Sequence, residues 1–289
     1  MINQTTQPAT PVQHFVSTHF CVVNVSGGVP SAIALERAIQ VFGRKRTIGV
    51  FADVKIEDPD LYRFLEDVEF HLEFPITRIA EGRTPWEVFF DEGMMGSNRA
   101  DLCSRILKRE FIDKWIVENG YTPENTVRAF GFGIKELTRS DNIKQVVAPY
   151  KVWLPLHERP FLSSCDCVDY VRNVWNIDPP DLYDQGFPHN NCGGACVKAG
   201  HGQWYLCYRK RRRVYDTWEQ HEEAFRSKTG KDVSILRDRR GGSYKPLTLR
   251  ELRRRFEEDG YRPSDMSGGC DCMGLNLVTM SMTPPQVSC

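Results

Sequence analysis

Short apolar runs alternate with amphipathic stretches along the first half of the chain. The runs have the length of buried β-strands, and the stretches after them have helical spacing, two of them starting at a proline. This alternation predicts a parallel sheet with helices on both faces. The predicted strands are 20–25, 47–52, 75–79, 126–132 and a segment within 146–156, and the predicted helices are 30–42, 59–71 and 99–117.

The alternation stops near residue 155, and the remaining chain is rich in Cys, Arg and aromatic residues. Its pattern predicts further helices near 214–227 and 249–258. We therefore expect an α/β protein with a doubly wound, mostly parallel sheet, followed by an irregular helical region. The predicted divisions are a disordered tail at 1–17, the α/β domain at 18–156, the Cys- and Arg-rich region at 157–275 and a flexible tail at 276–289.

The composition is that of a soluble globular protein. The chain has 289 residues, of which 40% are hydrophobic, and its 38 basic side chains balance 38 acidic ones. No apolar run approaches the roughly 20 residues of a membrane helix, and the N-terminus lacks the basic start and apolar core of a signal peptide. We therefore expect a cytoplasmic protein that does not contact membranes.

A glycine-containing loop joins the first predicted strand to the first predicted helix. Glycines let the backbone approach a phosphate, and the N–H groups of a helix start favour an anion. Ligands of open parallel sheets bind at the carboxyl ends of strands, where this loop is expected. The alternative is a simple turn, and the Walker P-loop pattern is missing. The loop reads Ser26-Gly27-Gly28-Val29-Pro30-Ser31.

The end of the second strand adds a second pattern, FADVKIEDPDLY at 51–62. Together with the SGG…S loop, it resembles the PP-loop adenine nucleotide α-hydrolases. The branch it is most similar to contains the phosphoadenosine-phosphosulfate (PAPS) reductases and the sulfur-transfer enzymes of DNA phosphorothioation. The resemblance covers roughly residues 19–275. Its other matching positions are Arg99, Cys103, Leu107 and Lys108, then Glu136 and Arg139, and two segments similar to phage and bacterial relatives, 188–200 and 237–242.

The resemblance implies a Rossmann-like α/β/α sandwich that binds ATP or a PAPS-like adenine nucleotide, with Mg²⁺ as a further candidate, and acts in sulfur transfer or reduction. Pro30 stands where ATP-splitting members carry an Asp, so a nucleotide-binding module that does not cleave ATP is the alternative. The implied nucleotide contacts are Ser26, Gly27, Gly28, Ser31, Asp53 and Arg99, and the implied catalytic residues are Asp53, Lys108, Glu136, Arg139 and Cys272. Without the resemblance, Asp53 is a solvated carboxylate or a helix cap.

Ten cysteines in a chain without a secretory signal favour metal or redox chemistry over disulfides. Cys192 and Cys196 would share one face if they lay on a helix. Several thiols could converge on an iron–sulfur cluster or on zinc; the resemblance favours a [4Fe–4S] cluster. The expected ligands are Cys103, Cys192, Cys196 and Cys272, with Cys270 or His189 as alternatives, while Cys21, Cys165, Cys167, Cys207 and Cys289 are expected to be structural or incidental.

Residues 201–262 carry 17 Lys and Arg against 10 Asp and Glu, a net charge of +7. Basic side chains interleaved with aromatic ones are typical of nucleic-acid binding, so segments 209–213 and 237–255 are candidates for contact with a nucleic acid. One alternative is a solvated helix face neutralised by neighbouring Glu residues. The other is that Arg237, Arg239 and Arg240 bind a small anion. A homodimer is a further possibility.

Overall fold

The structure, a computed structural model, describes residues 18–97, 99–238 and 244–264. Five parallel strands form the central sheet: β1 (Phe20–Val25), β2 (Thr47–Ala52), β3 (Ile76–Ile79), β4 (Thr126–Phe130) and β5 (Lys151–Trp153). Their order across the sheet is β3-β2-β1-β4-β5. The predicted α/β class with a parallel sheet is confirmed.

Helices cover both faces of the sheet and continue into the C-terminal region. A second, two-stranded antiparallel sheet pairs β6 (Leu236–Asp238) with β7 (Lys245–Leu247), which the sequence pattern did not predict. The helices are α1 (Val29–Phe42), α2 (Pro59–Leu72), α3 (Pro85–Asp91), α4 (Phe111–Glu118), α5 (Leu137–Val146), α6 (Ser164–Tyr170), α7 (Asp181–Asp184), α8 (His201–Lys210), α9 (Arg212–Thr229) and α10 (Leu249–Glu257).

Alternate side chains of β1 enter two different hydrophobic cores, as the two-residue period of a strand requires. Cys21, Val23 and Val25 pack with α1 and α2 on one face. Val22 packs with α4 and α5 on the other. Both faces of the sheet are therefore covered, which explains why every residue of this strand except Asn24 is apolar.

A third core holds the C-terminal region against the sheet domain. It contains the aromatic side chains of α8, α9 and α10 together with Val54, Val88 and Cys103 from the first half of the chain. The buried carboxylate of Glu222 on α9 accepts backbone N–H groups from Ile235, at 2.8 Å, and Leu249, at 2.6 Å. Hydrophobic cores thus contain residues from both sides of position 156. The domain boundary predicted there stays a prediction.

The predicted helix at 99–117 is wrong at its start and in its regularity. Arg99 precedes the helical stretch, which includes π-helical turns over Ser104–Glu110 before α4. The predicted strand at 126–132 is shorter, because β4 ends at Phe130. The two tails predicted at 1–17 and 276–289 lie outside the described residues. None of the described helices is long and apolar enough to cross a membrane.

Candidate functional site at the carboxyl ends of the strands

The loop between β1 and α1 is a tight turn held by two serines. The backbone N–H of Ser26 donates to Ser31 Oγ at 3.0 Å, and Ser31 Oγ donates to the Gly28 carbonyl at 2.7 Å. Gly27 has φ +81°, and a Cβ there would lie 2.7 Å from the Leu61 side chain. This position therefore requires glycine both for its backbone angle and for space.

The end of β4 meets this loop closely. A Cβ on Gly131 would lie 2.5 Å from the carbonyl oxygen of Pro30, so only glycine lets the two segments touch. β1 has β2 on one side and β4 on the other, and the chain leaves β1 toward β2. The loop therefore lies where the strand order reverses, which is the usual ligand crevice of an open parallel sheet.

On the β4 side, Glu136 and Arg139 form an ion pair beside the loop. Glu136 also accepts the backbone N–H of Gly133 at 2.7 Å, and the Arg139 guanidinium lies 4.6 Å from the ring centroid of Phe132. The predicted pair is thus brought together and placed near the crevice. Burial, together with the charge of Arg139, lowers the pKa of His189 to about 3. His189 is therefore neutral at neutral pH.

On the β2 side, Asp53 follows the strand and is half-buried. One of its carboxylate oxygens accepts the Lys55 backbone N–H at 2.7 Å and the Tyr62 hydroxyl at 2.9 Å. Burial and the neighbouring Asp53 raise the pKa of Tyr62, so its hydroxyl stays a proton donor. The second oxygen of Asp53 accepts no hydrogen bond from the residues described here, so it can receive one from a ligand.

A buried ion pair joins this edge of the sheet to the cysteine segment. Lys108 Nζ lies 3.0 Å from Glu57 Oε1, and the two side chains are 8% and 0% exposed. The other oxygen of Glu57 accepts the backbone N–H of Cys192. Burial disfavours the charge of Lys108, but the attraction of Glu57 outweighs it and the pKa of Lys108 is raised. In this state Lys108 is held by Glu57 and does not project freely as a catalytic group.

Cys192 and Cys196 do not lie on an α-helix, so the condition for a shared helical face is not met. Cys192–Gly194 is a short 3-10 turn with left-handed angles, φ +53° at Cys192 and +61° at Gly193. Left-handed residues interrupt an α-helix, so the two thiols do not share a helical face. Cys207 lies on α8, a separate helix, and is buried.

Three of the four predicted metal ligands, Cys103, Cys192 and Cys196, nevertheless share one hydrophobic core. Burial raises the pKa of each thiol, that of Cys103 to about 12. Across 18–97, 99–238 and 244–264, no three His, Cys, Asp or Glu side chains are arranged to hold a metal ion. These three thiols therefore do not form a closed metal site by themselves. Cys270 and Cys272 lie outside the described residues, and the metal centre stays a prediction.

Arg99 is not placed beside the glycine loop by any contact that the structure describes. Its side chain is exposed, and its guanidinium lies 5.1 Å from the ring centroid of Tyr244, the residue before β7. Its predicted contact with a nucleotide is therefore left without structural support.

The basic clusters are largely neutralised within the chain. Arg211 pairs with Asp58, and every arginine of 253–255 has at least one carboxylate partner. Within 209–213, Lys210 and Arg213 are exposed, and the described residues offer neither of them an ion-pair partner. Arg239 and Arg240 lie outside the described residues. The free positive surface is thus smaller than the count of basic residues suggests.

Three residues of the site were not selected from the sequence. Glu57 lies within the EDPDLY segment of the family-like pattern, but nothing there indicated that it would pair with Lys108. Tyr183 and Asn190 reach the glycine loop from a distant part of the chain, and no motif predicted those contacts.

The sequence matches no protein-family model, and no curated protein matches it.

Proposed function

We propose that this chain binds an adenine nucleotide over the Ser26–Ser31 loop and uses it in sulfur transfer or reduction. The observation that supports this proposal most strongly is the position of the loop. It lies at the strand-order reversal of a parallel sheet, next to the start of α1, with glycines at the points of closest backbone approach. Such a site favours a phosphate group.

The position of Asp53 favours the binding of a nucleoside next to these phosphates. Its free oxygen faces no donor among the described residues, while Tyr62 fixes the other oxygen. A held carboxylate with one vacant acceptor is suited to a ribose hydroxyl or an adenine amino group. The Glu136–Arg139 pair on the β4 side supplies a guanidinium that can contact phosphate or sulfate oxygens.

Sulfur chemistry is supported by the thiols packed next to the same edge of the sheet. Glu57 links Lys108 to the backbone of Cys192, and so connects the end of β2 to the cysteine segment. In an adenylation, ATP would transfer AMP to an acceptor and release pyrophosphate. In a sulfonucleotide reduction, two thiols would supply two electrons on forming a disulfide. If Cys103, Cys192 and Cys196 also ligate a metal, Cys272 is the fourth ligand that the resemblance implies, and it lies outside the described residues.

A second candidate, a nucleotide-binding module that does not cleave ATP, is favoured by Pro30. This residue is within the first turn of α1 and provides neither a carboxylate for a metal ion nor an N–H for a phosphate. Binding without cleavage would need only the glycine loop and Asp53.

The test is titration of the anaerobically purified protein with ATP, PAPS and AMP. We expect at least one of them to bind, and we expect Asp53→Asn to weaken binding about tenfold or more, because hydrogen bonds to charged groups contribute about 1.5–3 kcal/mol. Asp67→Asn on α2 is the matched control and should bind like the wild type. A folded protein that binds none of these nucleotides would contradict the proposal.

Pyrophosphate release separates the two candidates. Incubation with labelled ATP and a sulfur acceptor should release pyrophosphate if the chain is an enzyme of the proposed type. Nucleotide binding without release, at saturating ATP and Mg²⁺, would favour the module instead. Iron and zinc analysis of the same preparation tests the predicted metal centre independently of activity.

A further inference from the structure

The segment from Asp181 to Asn191, here called the 181–191 cap, covers the glycine loop. Three of its side chains contact the loop backbone. The Val29 N–H donates to the Tyr183 hydroxyl at 3.4 Å, and Asn190 Nδ2 donates to the Gly27 carbonyl at 3.1 Å. The amide of Asn191, oriented so that both of its ends are satisfied, donates to the Ser26 carbonyl at 3.1 Å.

The Tyr183 hydroxyl stands where a phosphate would have to bind. Pro30 has no N–H, and the N–H groups of Ser31 and Ala32 are directed to the Gly28 carbonyl. Val29 therefore provides the outward-facing donor at the start of α1, and Tyr183 accepts its hydrogen bond. A Cβ on Gly28 would lie only 3.0 Å from the Tyr183 hydroxyl, so that hydroxyl is in contact with the loop itself.

The polar contacts between the cap and the loop are weak enough to be displaced, while Leu182 and Phe187 anchor the cap in a hydrophobic core. A donor–acceptor distance of 3.4 Å is long for a hydrogen bond from N–H to oxygen. Asn190 is 1% exposed, and its Oδ1 has no hydrogen-bond partner in the described part of the chain. A buried, unsatisfied acceptor destabilises the closed arrangement, and it would gain a partner if the cap moved into water. Gly186, between Tyr183 and Asn190, has φ +90°, a backbone angle that glycine adopts without strain.

We propose that the 181–191 cap is a gate on the nucleotide site, with the Tyr183 hydroxyl occupying a phosphate position until the nucleotide displaces it. This inference rests on the proposed function, and it adds regulation of that site by the C-terminal region. It implies that the chain binds nucleotide less tightly than an uncovered loop would.

The test uses Tyr183→Phe in the full-length chain. Removing the hydroxyl frees the Val29 N–H while keeping the ring that fills the cap. We expect ATP to bind about two- to fivefold more tightly, since a weak hydrogen bond no longer has to be broken. Tyr150→Phe is the matched control, because the Tyr150 hydroxyl donates to the Tyr121 carbonyl away from the loop. It should leave the affinity for ATP unchanged.

Amide hydrogen exchange in the peptide covering 26–35 gives a readout that does not need nucleotide. In Tyr183→Phe this peptide should exchange faster than in the wild type, and ATP should slow it in both proteins. Unchanged or weaker ATP binding by a folded Tyr183→Phe would overturn the gate, because the hydroxyl would then not compete with the nucleotide. Unchanged exchange would overturn it as well.

The experiment distinguishes a failure of the proposed function from an absence of contact between Tyr183 and the glycine loop. If neither protein binds ATP, PAPS or AMP but exchange is faster in Tyr183→Phe, the cap does cover the loop and the nucleotide is the wrong ligand. That outcome refutes the proposed function and removes the gate with it.

Discussion

The Glu57–Lys108 pair gives the most decisive test of how the site is built. Glu57→Gln keeps the size of the side chain but only one acceptor oxygen, so its NH2 group must face either Lys108 or the Cys192 N–H, and it removes the charge that balances Lys108. Breaking a buried pair by removing one partner costs about 3–5 kcal/mol, because the remaining charge is left without compensation. Both side chains are at most 8% exposed, so little solvent screening reduces this cost. We expect Glu57→Gln to lower the free energy of unfolding by about 3 kcal/mol near pH 7.

The loss of stability in Glu57→Gln should depend on pH, and the pKa of Lys108 gives the direction of that dependence. In the wild type, the raised pKa of Lys108 means that its charge stabilises the fold below the pKa of an unfolded lysine, near 10.4. In Glu57→Gln the same group would be buried without a partner, so folding would favour the neutral amine. The cost of the substitution should therefore be largest at neutral pH and shrink as the pH rises toward about 10.

Urea unfolding between pH 6 and pH 10 measures both effects. Replacing the pair by Gln and Met at 57 and 108 should recover most of the lost stability, because no uncompensated charge remains. Glu118→Gln provides the matched control, since Glu118 pairs with Lys114 at 3.8 Å on an exposed surface and should cost at most about 0.5 kcal/mol. A cost below about 1 kcal/mol for Glu57→Gln, or no recovery in the double variant, would refute this account of the pair.

Three further predictions concern other parts of the molecule. Burial raises the pKa of Glu222 to about 7. The wild type should therefore lose up to about 3 kcal/mol of unfolding free energy as the pH rises from about 4.5 through 7. In Glu222→Gln the unfolding free energy should depend less on pH over this range. Gly27→Ala should lower the melting temperature more than Gly43→Ala does, because both have φ near +80° but only Gly27 would clash; equal shifts would show that the packing at the loop is unimportant. If nucleic acid is a partner, oligonucleotide affinity should fall with salt, and replacing Lys210 and Arg213 by Ala should weaken it without changing stability; salt-independent or absent binding would count against that partner.

The strands and helices of the first half of the chain were predictable because the signals that specify them come from residues close together in the sequence. Buried strands are short apolar runs, and helix starts such as Pro59 carry the signals that fix them. The parallel sheet and the place of the glycine loop followed from these patterns. The contacts between Gly131 and Pro30, and between Glu57 and Lys108, join residues about 50 to 100 positions apart. Such pairings depend on packing that no periodicity encodes.

Cys192 shows how a spacing argument fails. A separation of four residues predicts a shared helical face only if the segment is helical, and two adjacent glycines permit left-handed angles that end a helix. The buried carboxylate of Glu57 holds the turn by accepting the Cys192 N–H. The turn at Cys192 is therefore held by a carboxylate 135 residues away in the sequence.

The Glu57–Lys108 pair and the 181–191 cap lie at the ends of two neighbouring strands, β2 and β1. Glu57 ties the cysteine segment to the end of β2, and Tyr183 and Asn190 tie the preceding cap to the end of β1. Asn191, the last residue of the cap, is followed directly by Cys192. The cap and the turn that Glu57 holds are thus continuous in the chain. If the proposed function is right, nucleotide binding and the environment of the thiols are coupled, and alkylation of Cys192 by a small electrophile should change in rate when ATP saturates the protein. An ATP-independent rate in a protein that binds ATP would show that the cap and the turn move separately.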